Sequence, residues 1–146
     1  MTSTSEQEGR FMVAVGAMIE HDSSGKILLV KRSDKENYLP GIWEDLGGRI
    51  KQFEEPEDAL HREVQEETGL EVEILKPLSV FHDYYGERTP ENELLIITYW
   101  CKAKSDQVVL SDAHTEYRWV TPEEALELAE HVGVRRDIQA FVDEIT

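Results

Sequence analysis

Glu54, Arg62, Glu63, Glu66 and Glu67 are spaced in a way that points to phosphate chemistry on a metal ion. Gly48 is followed after five residues by Glu54, and after seven more by Arg62-Glu63-Val64-Gln65-Glu66-Glu67-Thr68-Gly69-Leu70. Pro56 suits a first helical position, Glu57 and Asp58 complement the positive helix start, and Gly69 suits the left-handed residue past a last turn. A helix from Pro56 to Thr68 would carry Glu63, Glu66 and Glu67 within an arc of about 100°, beside an apolar edge of Leu60 and Val64. Like charges one turn apart repel by about 0.2–0.5 kcal/mol, and anions at a helix C-terminus cost about 0.3–1 kcal/mol. Arg62 can reach Glu66, but one guanidinium does not neutralise three glutamates and Glu54. A hard divalent cation held by carboxylate oxygens fits the remainder; Mg²⁺, which keeps waters and bridges phosphates, fits best, with Mn²⁺ the alternative.

The flanking sequence must supply a scaffold for that helix. Phe11 to Ile19 and Lys26 to Lys31 read as strands joined by the turn-rich His21-Asp22-Ser23-Ser24-Gly25, a hairpin leading toward Trp43 to Leu46 and the paired Gly47-Gly48. Val72 to Leu75, Ser79 to Tyr84, Glu93 to Lys102 and Glu116 to Val120 are further strand candidates. Thr121-Pro122-Glu123-Glu124 is a capping box that predicts a helix from Pro122 to about Glu130, and a last helix fits Arg135 to Glu144. One domain over residues 10–146, preceded by a flexible polar tail over residues 1–9, accounts for the chain of 146 residues.

The chain carries 15 Lys and Arg against 31 Asp and Glu, a formal net charge of −16. Such a surface repels phosphate backbones and argues against a nucleic-acid binder, whereas a small phosphorylated molecule can arrive with its cation. Cys101 is the only cysteine, so no disulfide forms within the chain, and its apolar neighbours suggest a core strand position. No stretch is long and apolar enough for a membrane span, and the start has no signal-peptide pattern; a cytoplasmic monomer or homodimer is expected.

Gly48, Glu54, Arg62, Glu63, Val64, Glu66, Glu67, Gly69 and Leu70 fill every defined position of the signature box that this segment resembles, that of the Nudix hydrolases. The resemblance implies an α/β/α sandwich with a mixed sheet, and hydrolysis of the diphosphate linkage in a nucleoside diphosphate joined to another group. It implies that the Gly47 carbonyl joins Glu63, Glu66 and Glu67 around the metal. Glu63 and Glu67 are the first choice as ligands, and Glu66 a further ligand or the group nearest the attacking water. Glu54 and Arg62 orient the helix carboxylates. Gly48 would let the backbone approach the pyrophosphate. The chain departs from the family pattern at Leu46 in place of Pro, at Lys51 in place of Glu and at Phe53 in place of Gly, which bears on the loop from Gly48 to Glu54.

A late stretch, Ser111 to Trp119, is similar to one that carries a further glutamate in the family, where this chain has Ala113. Asp112 and Glu116 are candidate substitutes, and His114 could contact a phosphate, though a lone loop histidine is usually structural. Tyr85 and Gly86 stand where two substrate classes carry markers, and neither marker fits. Tyr84 and Tyr85 could stack on a base. A MutT-like nucleoside triphosphate pyrophosphohydrolase is the first expectation, an ADP-ribose or nucleotide-sugar hydrolase the second, and a non-catalytic nucleotide sensor the reading from another class.

Overall fold

The computed structural model describes residues 7–146; residues 1–6 of the expected tail lie outside the described residues. Seven strands form one mixed sheet: β1 (Met12–His21), β2 (Ile27–Arg32), β3 (Trp43–Glu44), β4 (Leu46–Arg49), β5 (Glu73–Tyr84), β6 (Glu93–Ala103) and β7 (His114–Val120). Three helices flank it: α1 (Pro56–Thr68), α2 (Pro122–Leu128) and α3 (Val132–Ile145).

β1 is the spine. It runs parallel to β6 on one side and antiparallel to β4 and the end of β2 on the other. The expected hairpin of β1 and β2 closes at Glu20 opposite Ile27, after which β2 diverges to pair with β7 and β3. That divergence opens the gap in which β4 lies, and so sets the paired glycines against the centre of β1.

Alternation along the strands builds a core on each face. Val15, Ala17, Ile19, Leu28, Val30 and Leu46 pack with Ala59, Leu60 and Val64 of α1. Met18, Ile27 and Leu29 pack on the opposite face with Ala125, Val134, Ile138 and Phe141 of α2 and α3. Burying side chains such as Leu60 and Val64 fully contributes about 1.5–3 kcal/mol each, which fixes the rotation of α1 and hence where its glutamates point.

Several bounds differ from the sequence reading: the short strand expected from Trp43 to Leu46 before the glycines is instead β3 and β4, with both glycines inside β4, and two further shifts have identifiable reasons. β5 is one strand, because register shifts on both sides of Pro77 absorb the missing N–H on an edge strand. α3 begins three residues early, because the His131 side chain accepts the Gly133 N–H as an N-cap. α2 ends at Leu128, with its predicted capping box formed between Thr121 and Glu124. Cys101 is fully buried, and burial pushes its thiol up to about 12, in keeping with a core role. Among the described residues no helix is long and apolar enough to cross a membrane.

Candidate active site

α1 spans the predicted residues and stops at Gly69, whose φ of 72° and N–H bond to the Gln65 carbonyl end the helix. Its glutamates divide into two groups. The side chains of Glu63 and Glu67 are 15% and 12% exposed, whereas that of Glu66 is 57% exposed and stands apart. The arc of three carboxylates is therefore a close pair with one outlier.

Arg62 organises the cluster. Its Nε and Nη2 donate to the two oxygens of Glu54 at 2.7 and 2.9 Å, its Nη1 to Glu63 Oε1 at 2.8 Å, and its Nη2 also to the Arg49 carbonyl at 3.2 Å. The expected bond to Glu66 is the long one, at 3.5 Å. Bidentate pairing with a carboxylate is the geometry a planar guanidinium serves best. The Arg62 hydrogen bonds, followed by the Lys51 amide at 2.9 Å, lower the Glu54 carboxyl to about 2, and Glu54 in turn raises Arg62 further above its usual range. Glu54 thus ties the loop to the helix. That loop carries the strain the sequence departures foreshadow: Phe53 sits at φ 67° and is 98% exposed.

The paired glycines have separate reasons. A Cβ on Gly47 would come within 2.2 Å of the Val15 carbonyl oxygen on β1, so Gly47 permits the strand pairing. A Cβ on Gly48 would lie 2.2 Å from Glu63 Cδ, so Gly48 leaves the space that the Glu63 carboxylate fills.

Glu44 stands outside the sequence expectations, and His114, a candidate phosphate contact in the sequence, instead joins the carboxylates. Glu44 of β3 takes the Arg32 guanidinium at 3.3 Å and His114 Nε2 at 2.9 Å. His114, 5% exposed, also brings Nδ1 within 3.3 Å of Glu67 Oε2, at an angle that makes no hydrogen bond. The late loop therefore reaches the cluster through His114 rather than through an acid: Asp112 is exposed, and Glu116 turns to Lys31 at 3.6 Å. Glu44 lies three residues before Gly47, and that proximity to the paired glycines is the one sequence signal that marked it.

Burial, then the hydrogen bond with Glu63 and the charges of Glu63 and Glu44, push the Glu67 carboxyl up to about 9 against the counter-effect of Arg32. The centre of the cluster is short of positive charge. Among the described residues no three His, Cys, Asp or Glu side chains converge on one point. The near pair, Glu63 and Glu67, nevertheless offers hard oxygen donors with excess negative charge, the donor set that suits a partly hydrated Mg²⁺.

Beside the cluster, on the α3 face, is a cleft of about 270 Å³. Tyr84, Tyr85, Arg32, Arg49, Gly47 and Gly48 are among its lining residues, so the expected tyrosines do reach it. The Tyr38 and Tyr85 rings stack at a tilt with centroids 4.5 Å apart, and the Arg49 guanidinium lies 5.3 Å from the Tyr85 centroid. An aromatic wall with guanidinium groups next to clustered carboxylates can hold a base and its phosphates.

A mixed sheet between helices, with a carboxylate-bearing helix set against paired glycines, defines a class of hydrolases that act on phosphoric anhydrides. The chain belongs to the NUDIX family: the NUDIX domain model matches residues 10–140. It is 28% identical over 129 residues to the nucleoside triphosphatase NudI of Escherichia coli O17:K52:H18 (strain UMN026 / ExPEC), covering 84% of this chain and 90% of that protein. It is 32% identical over 115 residues to the nucleoside triphosphatase NudI of Salmonella agona (strain SL483), covering 73% and 79%. Among solved structures, the MutT protein from Methanosarcina mazei Go1 superposes with a TM-score of 0.77 at 26% identity, covering 96% of this chain and 98% of that one. The chain is a Nudix hydrolase that acts on nucleoside diphosphate derivatives.

Proposed function

We propose that this enzyme hydrolyses nucleoside triphosphates to nucleoside monophosphate and pyrophosphate, with Mg²⁺ or Mn²⁺ as cofactor. The observation that carries the reading is the Glu63–Glu67 pair, with Glu63 set against Gly48, a residue that lines the aromatic-walled cleft. The NudI relatives, named as nucleoside triphosphatases, support the substrate class.

Glu63, Glu67 and the Gly47 carbonyl would hold the cation, with Glu66 as the further ligand or the group nearest the attacking water. When bound, the cation neutralises phosphate charge and lowers the pKa of a coordinated water. Arg62 and Glu54 keep the Glu63 carboxylate in a fixed rotamer, which removes an orientation cost from the reaction. Arg49, on the rim, is the cation placed to meet the phosphate chain, and Tyr85 the surface on which the base stacks.

The test is a release assay over nucleoside triphosphates, ADP-ribose and nucleotide sugars with Mg²⁺ and with Mn²⁺, detecting phosphate, pyrophosphate and monophosphate. Pyrophosphate and monophosphate in equal amounts from a triphosphate are the expected result. Turnover confined to ADP-ribose or a nucleotide sugar would replace the triphosphate reading, and undiminished turnover in excess chelator would end the metal-dependent one.

A further inference from the structure

Two local devices carry His114 to the carboxylates. The segment before it is laced to the end of α1: the Val109 amide donates to the Thr68 carbonyl at 2.9 Å, the Ser111 amide to the Glu67 carbonyl at 3.3 Å, and the His114 amide to the Ser111 carbonyl at 3.3 Å. The first two bonds satisfy carbonyls that a helix end leaves over, and together they hold the loop beside Glu67. β7 then enters the sheet with a bulge. Glu116 stands opposite Lys31 but His114 opposite Arg32, so Thr115 is an extra residue. In an unbroken register Thr115 would face Arg32; the bulge turns the His114 side chain to the face that Arg32 and Glu44 share.

The surroundings of the ring are asymmetric. Its side chain is 2% exposed, and Nε2 lies 2.9 Å from Glu44 Oε2, an oxygen that also accepts from Arg32 Nη1 at 3.3 Å. A carboxylate oxygen accepts, so this contact puts the ring proton on Nε2 and leaves Nδ1 with a lone pair. Nδ1 is buried without a hydrogen-bond partner, 3.3 Å from Glu67 Oε2. Two acceptors therefore face each other with no hydrogen between them. Ligands about 2.0–2.2 Å from one cation and cis to each other stand roughly 3.0–3.4 Å apart, so these two atoms have the spacing of donors that share an ion. A ring nitrogen that binds metal while the other gives its proton to a carboxylate is the usual arrangement of a histidine ligand.

We propose that His114 Nδ1 is a metal ligand that joins Glu67 Oε2 on a divalent cation, with Glu44 as the residue that orients the ring. This rests on the reading above that Glu67 holds a cation. Two protein donors leave most of the coordination sphere to water and to substrate phosphate oxygens, as suits a cation that must meet a polyphosphate. The nitrogen supplies a donor where the late loop offers no acid, since Asp112 is exposed and Glu116 turns to Lys31. An imidazole beside a carboxylate also moves the preference of the site away from Mg²⁺ and toward transition metals.

The experiment loads the full chain with Mn²⁺ and inorganic pyrophosphate, which brings phosphate oxygens and no nitrogen, and records electron spin echo modulation together with the Mn²⁺ Kd. Wild type is expected to show nitrogen modulation from a bound imidazole. His114→Gln should abolish that modulation and weaken Mn²⁺ binding by about tenfold or more, while Glu44→Gln should keep the modulation and weaken binding by about tenfold. Thermal unfolding checks each variant; if His114→Gln does not fold, the wild-type modulation and the Glu44→Gln affinity decide. Bound Mn²⁺ without nitrogen modulation in wild type, modulation that persists in His114→Gln, or an unchanged Kd in Glu44→Gln would each overturn the proposal. Glu67→Gln separates the two readings: Mn²⁺ that is lost in this variant but shows no nitrogen in wild type would retire the His114 ligand alone. Mn²⁺ held undiminished by Glu67→Gln, or not bound by wild type at all, would retire the Glu67 cation with it.

Discussion

Alanine at Gly47 and at Gly48 should have opposite consequences although the residues are neighbours. Neither lies at positive φ, so alanine suits both backbones and the effect comes from where the new methyl goes. At Gly48 it would sit 2.2 Å from Glu63 Cδ and 2.4 and 2.5 Å from its oxygens, and ordinary contact begins at 3.4 Å, so the carboxyl must retreat by about 1.2 Å. A flexible side-chain end can do this, at a stability cost of about 1–2 kcal/mol for the weakened 2.8 Å bond to Arg62. A displacement of about 1 Å in catalytic geometry costs roughly 10²-fold in rate, so kcat should fall by that order. At Gly47 the methyl meets the Val15 carbonyl oxygen at 2.2 Å and Gly16 Cα at 3.1 Å, both backbone, and cannot be accommodated without parting β4 from β1. Overpacking of that kind costs about 3 kcal/mol or more, a Tm loss of roughly 10 °C in a domain of this size. Thermal unfolding and steady-state kcat with saturating Mg²⁺ read both effects. Near wild-type kcat in Gly48→Ala would refute the placement of Glu63, and equal Tm losses in the two variants would refute the division of roles.

Glu63→Gln and Glu67→Gln should each lower kcat by about 10²-fold or more with the fold intact, and Glu67→Gln should raise the Tm measured in chelator because it relieves repulsion within the pair. Mg²⁺ at about 100 times its Kd should stabilise wild type by about 2.7 kcal/mol, read as a Tm rise that Glu63→Gln diminishes; an equal rise in the variant would place the ion elsewhere. Phe53→Gly should gain about 0.5–1 kcal/mol by urea unfolding, because relief of a left-handed backbone worth about 1–2 kcal/mol outweighs the added freedom of the unfolded chain. Burial raises the Asp137 carboxyl, so the folded state binds more protons than the unfolded one and stability contributed by this group falls as pH rises above the ordinary aspartate range. Asp137→Asn should therefore flatten the decline in unfolding free energy above the ordinary aspartate range, and an unchanged slope would count against that assignment.

α1 was legible to the residue because its signals are local: Pro56 starts it, Gly69 stops it, and Leu60 with Val64 sets its buried side. Glu54 and Arg62 were legible through their spacing from that helix. Glu44 was not, and His114 was legible only as a phosphate contact, because the two meet only when β2 pairs with β3 on one side and β7 on the other. No local periodicity encodes that meeting. Asp45 and Asp137 lie far apart in the chain, and each looks in sequence like one more surface acid among many. Glu66 shows the converse: helical spacing placed it with its neighbours, but the rotation of α1 set by the core turned it toward water.

The short segment from Trp43 to Arg49 serves both faces of the sheet. Leu46 packs toward α1 and Gly48 makes room for Glu63, while Asp45, just before Leu46, turns to the cleft. Side chains in a strand change face with every residue, so a one-residue insertion or deletion here would exchange the two sets, setting Asp45 against the helix carboxylates and withdrawing it from the cleft. The two faces of the sheet share one register from Trp43 to Arg49. A library that varies loop length should find the stretch before Trp43 permissive and the seven residues from Trp43 to Arg49 closed to any change in length.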